Sequence, residues 1–469
     1  MGMVGIVGFG SYVPGYRLPR ELIAREWGTA SAGGEKAVAN HDEDSLTLAV
    51  NAALNCFADS APAALDAVFF ASTTPPYREK QSAATVAAVL DTGTTVRSAD
   101  FTDTLRAGTA ALLAAADALR AGATRALVCA ADCRVGEPES TAEQSYGDAG
   151  AALLLGTTGV VAELVSSFSI SAEFHGTWRT EEQEFPHAFP GAFDAKFGYA
   201  RFMTSVIKGV LQRANLAPAA ITTAVLAAPN PRATAAVAKS VGLDAKKQVH
   251  DTFWPLLGDT GTAQPLLLLN AALERAKPGD TILLASYGDG GDACIFRVTE
   301  AISGYRTARS VFAQIEVKRL LPSYGKYARF RRLLRKEPPT PDVSTPVTLF
   351  RDQKAILPLY GGKCPRCQTV QFPKPRVCIE CGHHAGLVDI KLARRGTLFT
   401  FTNDYIFDAP DTPVSHAVVD LDGGGRLYLQ MTDCDPERVA IDMPVELTFR
   451  RVHEGFGLHN YFWKARPAA

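Results

Sequence analysis

Four cysteines constrain this chain more than any other feature. Cys364, Cys367, Cys378 and Cys381 stand as C-x2-C-x10-C-x2-C within GGKCPRCQTVQFPKPRVCIECGHH. Two intervening residues let a tight turn aim both thiolates at one ion, and two such knuckles complete the tetrahedron that zinc prefers. Gly361, Gly362 and Gly382 fall where the turn backbones need freedom. Four sulfurs leave no coordination position for water, so the pattern predicts a Zn2+ site that stabilises the fold rather than catalyses. Four free thiols or a redox pair are the competing readings, and the paired knuckles argue against both. His383 or His384 could stand in for one sulfur.

The rest of the chain divides by pattern. Up to about residue 300, short β-branched runs alternate with Ala-rich amphipathic segments. Strands are predicted at Val4–Phe9, Ala67–Ala71, Ala126–Ala130, Ala151–Leu155 and Val160–Val165, with helices at Ser45–Phe57, Gln81–Leu90 and Ala110–Ala121. A second round predicts helices at Tyr199–Ala214, Ala233–Val241 and Pro265–Ala276, and strands at Ala224–Ala228, Thr281–Ser286 and Ala293–Val298. Such alternation reads as α/β with a mainly parallel, helix-covered sheet, and two similar rounds suggest a duplication. Residues 1–310 are therefore one α/β domain, and 311–344 hold a basic segment (YGKYARFRRLLRK, Tyr324–Lys336) and a Pro-rich linker. The ribbon is assigned to 345–386. Beyond it, GTLFTFTNDYIF, SHAVVDLDGGGRLYLQMTD and MPVELTFRRV read as strands with Gly turns, giving an all-β OB barrel over 387–469 and almost no helix after about 345.

A zinc ribbon followed by such a barrel resembles the small domains that accompany thiolase-type acyl-CoA enzymes. Stretches of the first 300 residues resemble, in order, the 3-hydroxy-3-methylglutaryl-CoA synthase branch of the thiolase superfamily. They include GIVGFGSYVPGYRL, HDEDSLTLAVNAA, LRAGTAALLAA, ADCRVGEPES, WRTEEQEFP, PNPR, GDTGTAQPLLL and SYGDGGDACIF. The resemblance implies a duplicated five-layer thiolase fold, a rubredoxin-like zinc ribbon and an OB barrel. It also implies coenzyme A thioester as substrate and a homodimer through the body. In that family a cysteine at a buried helix N-terminus takes the acyl group, a histidine assists and a glutamate acts as base.

This chain departs from the family at those three positions. Leu105 falls on the nucleophile, Thr73 on the glutamate and Ala227 on the histidine. A leucine can be neither ionised nor acylated, so covalent chemistry through that position is ruled out by the alignment. Two expectations follow. One is an enzyme of carbon–carbon bond formation or cleavage, of aldol, retro-aldol or Claisen type, working without an acyl-enzyme. Asp259, Tyr287 and His250 are its candidate acid–base groups. More ordinary roles compete for each: Asp259 as a helix cap, His250 as a loop histidine, Tyr287 as core. The other expectation is a silent subunit that binds acyl-CoA and docks to a second thiolase-type subunit. Arg232 and Arg179 are candidates for the CoA phosphates and the acyl pocket. Cys133 is the thiol that could substitute as nucleophile, and His175 a further acid or base.

Some classes are set aside. A net charge of −1, and the acidic turns Asp404, Asp408, Asp411, Asp420 and Asp422 on the barrel, argue against nucleic acid. No apolar run approaches the roughly 20 residues of a membrane span, and the first residues carry no signal-peptide pattern. Nine cysteines, four of them in one metal-type cluster, fit a reducing cytoplasm.

Overall fold

A computed structural model describes residues 2–57, 64–188, 191–334, 345–407 and 409–468. The Pro-rich part of the linker and Asp408 lie outside the described residues. The chain forms two compact units. The first runs to Tyr327 apart from residues 41–43 and 88–91, which group with the second, 328–469.

The first unit is built on nine strands: β1 (Gly5–Tyr12), β2 (Ala67–Ala71), β3 (Arg97–Phe101), β4 (Arg125–Asp132), β5 (Ala149–Gly156), β6 (Ala162–Ser171), β7 (Thr223–Leu226), β8 (Thr281–Tyr287) and β9 (Gly290–Val298). Their order is β7-β8-β9-β6-β1-β5-β4-β2-β3. The duplication expected from the sequence is visible in this order. In the first half β2 and β4 pair in parallel, β4 and β5 antiparallel, β5 and β1 antiparallel. The second half repeats the pattern with β7 and β8 parallel, β8 and β9 antiparallel, β9 and β6 antiparallel. The halves join where Gly5 and Ile6 of β1 face Glu163 and Ala162 of β6.

One expectation needs correcting. The sheet is mixed, not mainly parallel, because antiparallel pairings outnumber parallel ones. The reason is local: β8 and β9 are joined by Gly288 and Asp289 alone, and a link that short permits only antiparallel pairing.

The predicted helices stand within a few residues of their expected ends: α1 (Ser45–Cys56), α2 (Ser82–Leu90), α3 (Ala107–Arg120), α4 (Arg201–Ala214), α5 (Pro231–Ser240) and α6 (Gln264–Arg275). Asp44 starts α1 by accepting a hydrogen bond from the Thr47 amide at 2.9 Å. Side chains alternate between two cores, as strand geometry requires. Ile282, Leu284, Cys294 and Phe296 enter the core that holds α3 and α6. Leu283, Ala285, Ala293 and Ile295 enter the one that holds α4 and α5. Helix α1 lies directly on β1, where a Cβ on Gly10 would come within 2.3 Å of the Cys56 amide nitrogen. Outer helices, half-sheets and a central helix pair are the layers of the thiolase-type fold.

In the second unit, Thr345 caps a helix the sequence reading did not anticipate, α7 (Pro346–Ile356), with Pro346 at its first position. A ribbon sheet follows, β10 (Tyr360–Lys363), β11 (Val370–Gln371) and β12 (Val388–Lys391), ordered β11-β10-β12. The OB barrel comprises β13 (Arg395–Asp404), β14 (Val414–Leu421), β15 (Arg426–Gln430), β16 (Pro444–Gly455) and β17 (Leu458–Pro467), ordered β15-β14-β13-β16-β17. A bridge between Met431 and Ala465 brings its two edges together. Within this unit Arg450 is fully buried and pairs with Glu43, Asp42 and Asp433.

The central helices meet at Gly108, where a Cβ would lie 2.5 Å from the Thr262 carbonyl oxygen, a backbone atom that cannot step aside. Gly108→Val should therefore cost about 1–3 kcal/mol or more by overpacking. Thermal unfolding reads this as a lowered midpoint, and an unchanged midpoint would mean that the helices are not in contact there.

Candidate active site and metal centre

The start of α3 is the focus of the body. Leu105 lies half-buried just before the helix, and Arg106 is its N-cap. The Arg106 guanidinium reaches across to β9, with Nη1 3.0 Å from Asp292 Oδ1, and Thr109 donates to Asp292 Oδ2 at 2.7 Å. Asp292 is buried, so its charge is held by these two partners. The Gly288 turn closes against the same helix tip: a Cβ there would lie 2.9 Å from the Arg106 amide nitrogen and 3.1 Å from that of Leu105. Only glycine fits so close to those amides.

Asp132, at the end of β4, fixes the neighbouring loops. Its Oδ1 accepts from the Thr73 amide at 2.7 Å, from Ser72 Oγ at 3.0 Å, and from the amide and hydroxyl of Thr74. Its Oδ2 accepts from Thr73 Oγ1 at 3.1 Å and from the Thr262 amide at 2.8 Å. Thr73 is thus a bracing residue with its hydroxyl committed to Asp132. Ala227 is buried and donates its amide to Ala285 in the sheet.

The three candidate acid–base residues do not hydrogen-bond to one another. Asp259 is held by Arg134, 3.3 Å from its Oδ2, and by the Gly261 amide, 3.0 Å from its Oδ1. Arg134 in turn lies 3.8 Å over the Tyr146 ring. His250 sits beside β7, its Nδ1 2.7 Å from the Asp251 carbonyl and its ring edge-on to Phe253. Burial pushes its pKa below the ordinary histidine value. Tyr287 does not pair with His250. Tyr287 instead donates its hydroxyl to Asp194 Oδ1 at 2.6 Å.

Asp194 is the residue that the sequence reading missed. It opens a π-helical turn, Asp194–Ala200, that leads into α4, in a stretch the pattern gave no reason to single out. Burial raises the Asp194 carboxyl above its usual range, partly offset by the Tyr287 hydrogen bond. Burial, then the hydrogen bond to Asp194 and its charge, raise the Tyr287 phenol, so it stays protonated. Gly176 and Gly198 make room for this pair: a Cβ on either would come within 2.6 Å of Tyr287 Oη.

The remaining candidates are scattered. Arg179 is exposed, and its guanidinium donates to the Thr73 carbonyl at 3.3 Å, next to the Asp132 loop. Arg232 is exposed in the first turn of α5. His175 is exposed beside Glu173 at 3.5 Å. Cys133 is half-buried, and its amide donates to Thr74 Oγ1.

The cysteine quartet converges in the second unit. Cys364, Cys367, Cys378 and Cys381 place their sulfurs within 4.8 Å of one another, with Cys364–Cys381 at 3.7 Å and Cys367–Cys378 at 3.5 Å. A tetrahedral zinc with bonds of about 2.3 Å asks for sulfurs about 3.8 Å apart, so the quartet fits the ion. The knuckles close through the Cys364 amide to Thr369 O and the Cys378 amide to His383 O, both 2.9 Å. Gln371 Nε2 donates to Cys378 Sγ at 3.1 Å and would orient that ligand from behind. The histidines are not members of the cluster. Among the described residues, no helix is long and apolar enough to cross a membrane.

Comparison with known proteins identifies relatives of both units. Residues 211–298 match a family model described as the C terminal of 3-oxoacyl-[acyl-carrier-protein (ACP)] synthase III. Residues 389–450 match one described as the ChsH2 C-terminal OB-fold domain. The hydroxymethylglutaryl-CoA synthase of Methanopyrus kandleri is 33% identical over 344 residues, covering 71% of this chain and 98% of that protein. That of Aeropyrum pernix is 33% identical over 339 residues, covering 70% and 94%. Among solved structures, an HMG-CoA synthase complexed with CoA shares the fold with a TM-score of 0.61 at 20% identity, covering 70% of this chain and 90% of that one. FabH from Pseudomonas aeruginosa PAO1 gives 0.58 at 21%, covering 63% and 98%. The chain belongs to the hydroxymethylglutaryl-CoA synthase family of the thiolase superfamily, carries Leu105 at the head of α3, and is fused to a C-terminal OB-fold domain.

Proposed function

We propose that the body binds a coenzyme A thioester and makes or breaks a carbon–carbon bond by an aldol-type route that forms no acyl-enzyme. The observation that carries this reading is a pairing. Leu105 removes the nucleophile from the helix tip, while the Tyr287–Asp194 acid–base pair stands on the strand whose turn closes on that tip. In the cleavage direction, the Asp194 carboxylate receives the proton of a 3-hydroxyl. The C2–C3 bond then breaks, its electron pair lodges in the thioester as an enolate, and C2 is reprotonated; condensation is the reverse. Tyr287 orients Asp194. Arg232 and Arg179 are the basic residues offered to the CoA phosphates. A homodimer through the body is the proposed assembly.

The test is a panel of 3-hydroxyacyl-CoA and 3-oxoacyl-CoA thioesters, with products followed by mass spectrometry. Turnover is expected from the protein alone, with Asp194→Asn about 10²–10⁴-fold slower. Leu105→Ala should remain active. Activity should fall as pH drops through the raised pKa of Asp194, above the ordinary value of about 3.9, and this acid limb should vanish in Asp194→Asn. A covalent acyl adduct on any cysteine would sink the mechanism. Binding without turnover until a thiolase is added would favour the silent-subunit alternative, for which the committed Thr73 hydroxyl and the apolar Ala227 speak.

We also propose that the quartet holds one structural Zn2+. Purified protein should contain one zinc per chain by elemental mass spectrometry. Cys378→Ser should lower both metal content and the unfolding midpoint, and equal stability of the metal-free protein would refute the role.

A further inference from the structure

The net charge of −1 hides an uneven distribution. Between Asp194 and Asp244 the chain carries no acidic residue but six basic ones, Lys196, Arg201, Lys208, Arg213, Arg232 and Lys239. All six are exposed, and among the described residues none of them forms an ion pair. Five stand on α4 and α5, and Lys196 stands in the π-helical turn that leads into α4. Helix α4 turns Met203, Val206, Ile207, Val210 and Leu211 into the core. It leaves Arg201, Ser205, Lys208 and Gln212 outside, a stripe at helical spacing. The end of α5 lies against that stripe, with Ser240 Oγ 2.7 Å from Thr204 Oγ1, and so sets Lys239 beside it. Lys246 and Lys247 follow, and Asp244 spends its carboxylate on their amides at 2.9 and 3.2 Å.

We infer that this face binds the surface of an anionic phospholipid bilayer. Unpaired like charges on neighbouring helices repel one another, a cost that a polyanionic partner removes. What lies between the cations selects the partner. Exposed residues there include Ser205, Gln212, Ala235 and Ala236, and no large apolar side chain is exposed on α4 or α5. A protein interface is anchored by buried aromatic or Met side chains and is depleted in Lys. Nucleic acid asks for side chains that enter a groove or rings that stack on bases. A fluid bilayer needs neither, since its headgroups rearrange beneath fixed cations and the attraction grows with the number of Lys and Arg at the surface. With no apolar residue to insert, the attachment is peripheral, reversible and screened by salt. It stands independently of the reaction proposed for the body.

The full chain is tested by co-sedimentation with vesicles of phosphatidylcholine, alone or with about 30% phosphatidylserine. Binding is expected only to the anionic vesicles, and about 1 M salt, where the screening length falls to about 3 Å, should release it. Each neutralised lysine should weaken binding about fivefold, so Lys208→Gln/Lys239→Gln should lose about 25-fold. The matched variant Lys277→Gln/Arg306→Gln, exposed elsewhere in the first unit, should bind as the parent chain does. Arg232 is left in place because it is offered to coenzyme A. All four substituted side chains are exposed, so the unfolding midpoints should coincide, and a loss of binding is then not a loss of fold. Sedimentation with neutral vesicles, equal binding by the two double variants, or no sedimentation at low salt overturns the inference. Retention on polynucleotide but not on anionic vesicles overturns it too and assigns the face to nucleic acid.

Discussion

The Asp132 carboxylate is the point on which the centre of this body depends. A buried charge is tolerated only when donors replace its lost hydration. Here they come from both halves of the fold: residues 72–74 from the first, and the amide of Thr262, just before α6, from the second. Charge-assisted hydrogen bonds of this kind are short and directional, so they fix the loops rather than merely attract them. The close approach of Gly108 to Thr262 and the Arg106–Asp292 pair work in the same sense. Together they lock the head of α3 against the strands of the second half.

In this chain Leu105, a hydrocarbon side chain, stands just before that locked helix tip. Gly288 closes on the first amides of α3, and the loop before α4 brings a carboxyl to the Tyr287 phenol. Both groups have pKa values displaced upward by burial, the condition that makes a carboxyl useful as a base closer to neutral pH.

Much of this was legible in the sequence, for identifiable reasons. The cysteine spacing, the Ala-rich helices and the β-branched strands are short-range patterns, and the described elements follow them closely at Ala67–Ala71, α1 and α6. The mixed sheet was not legible, because strand direction depends on which strands become neighbours and on turns as short as Gly288–Asp289. Helix α7 was passed over because its first residues were read as the end of the Pro-rich linker, although Thr345 and Pro346 were a start signal.

The sequence by itself determined that a leucine, not a cysteine, stands at position 105 and that four thiols are spaced for one ion, since both are matters of residue identity and local spacing. Only the tertiary structure decided which carboxyl serves which partner. Asp259 went to Arg134, Thr73 to Asp132, and Tyr287 to Asp194, 93 positions away along the chain. A hydrogen bond is decided within about 3.5 Å, and that distance is set by tertiary packing rather than by any pattern along the chain.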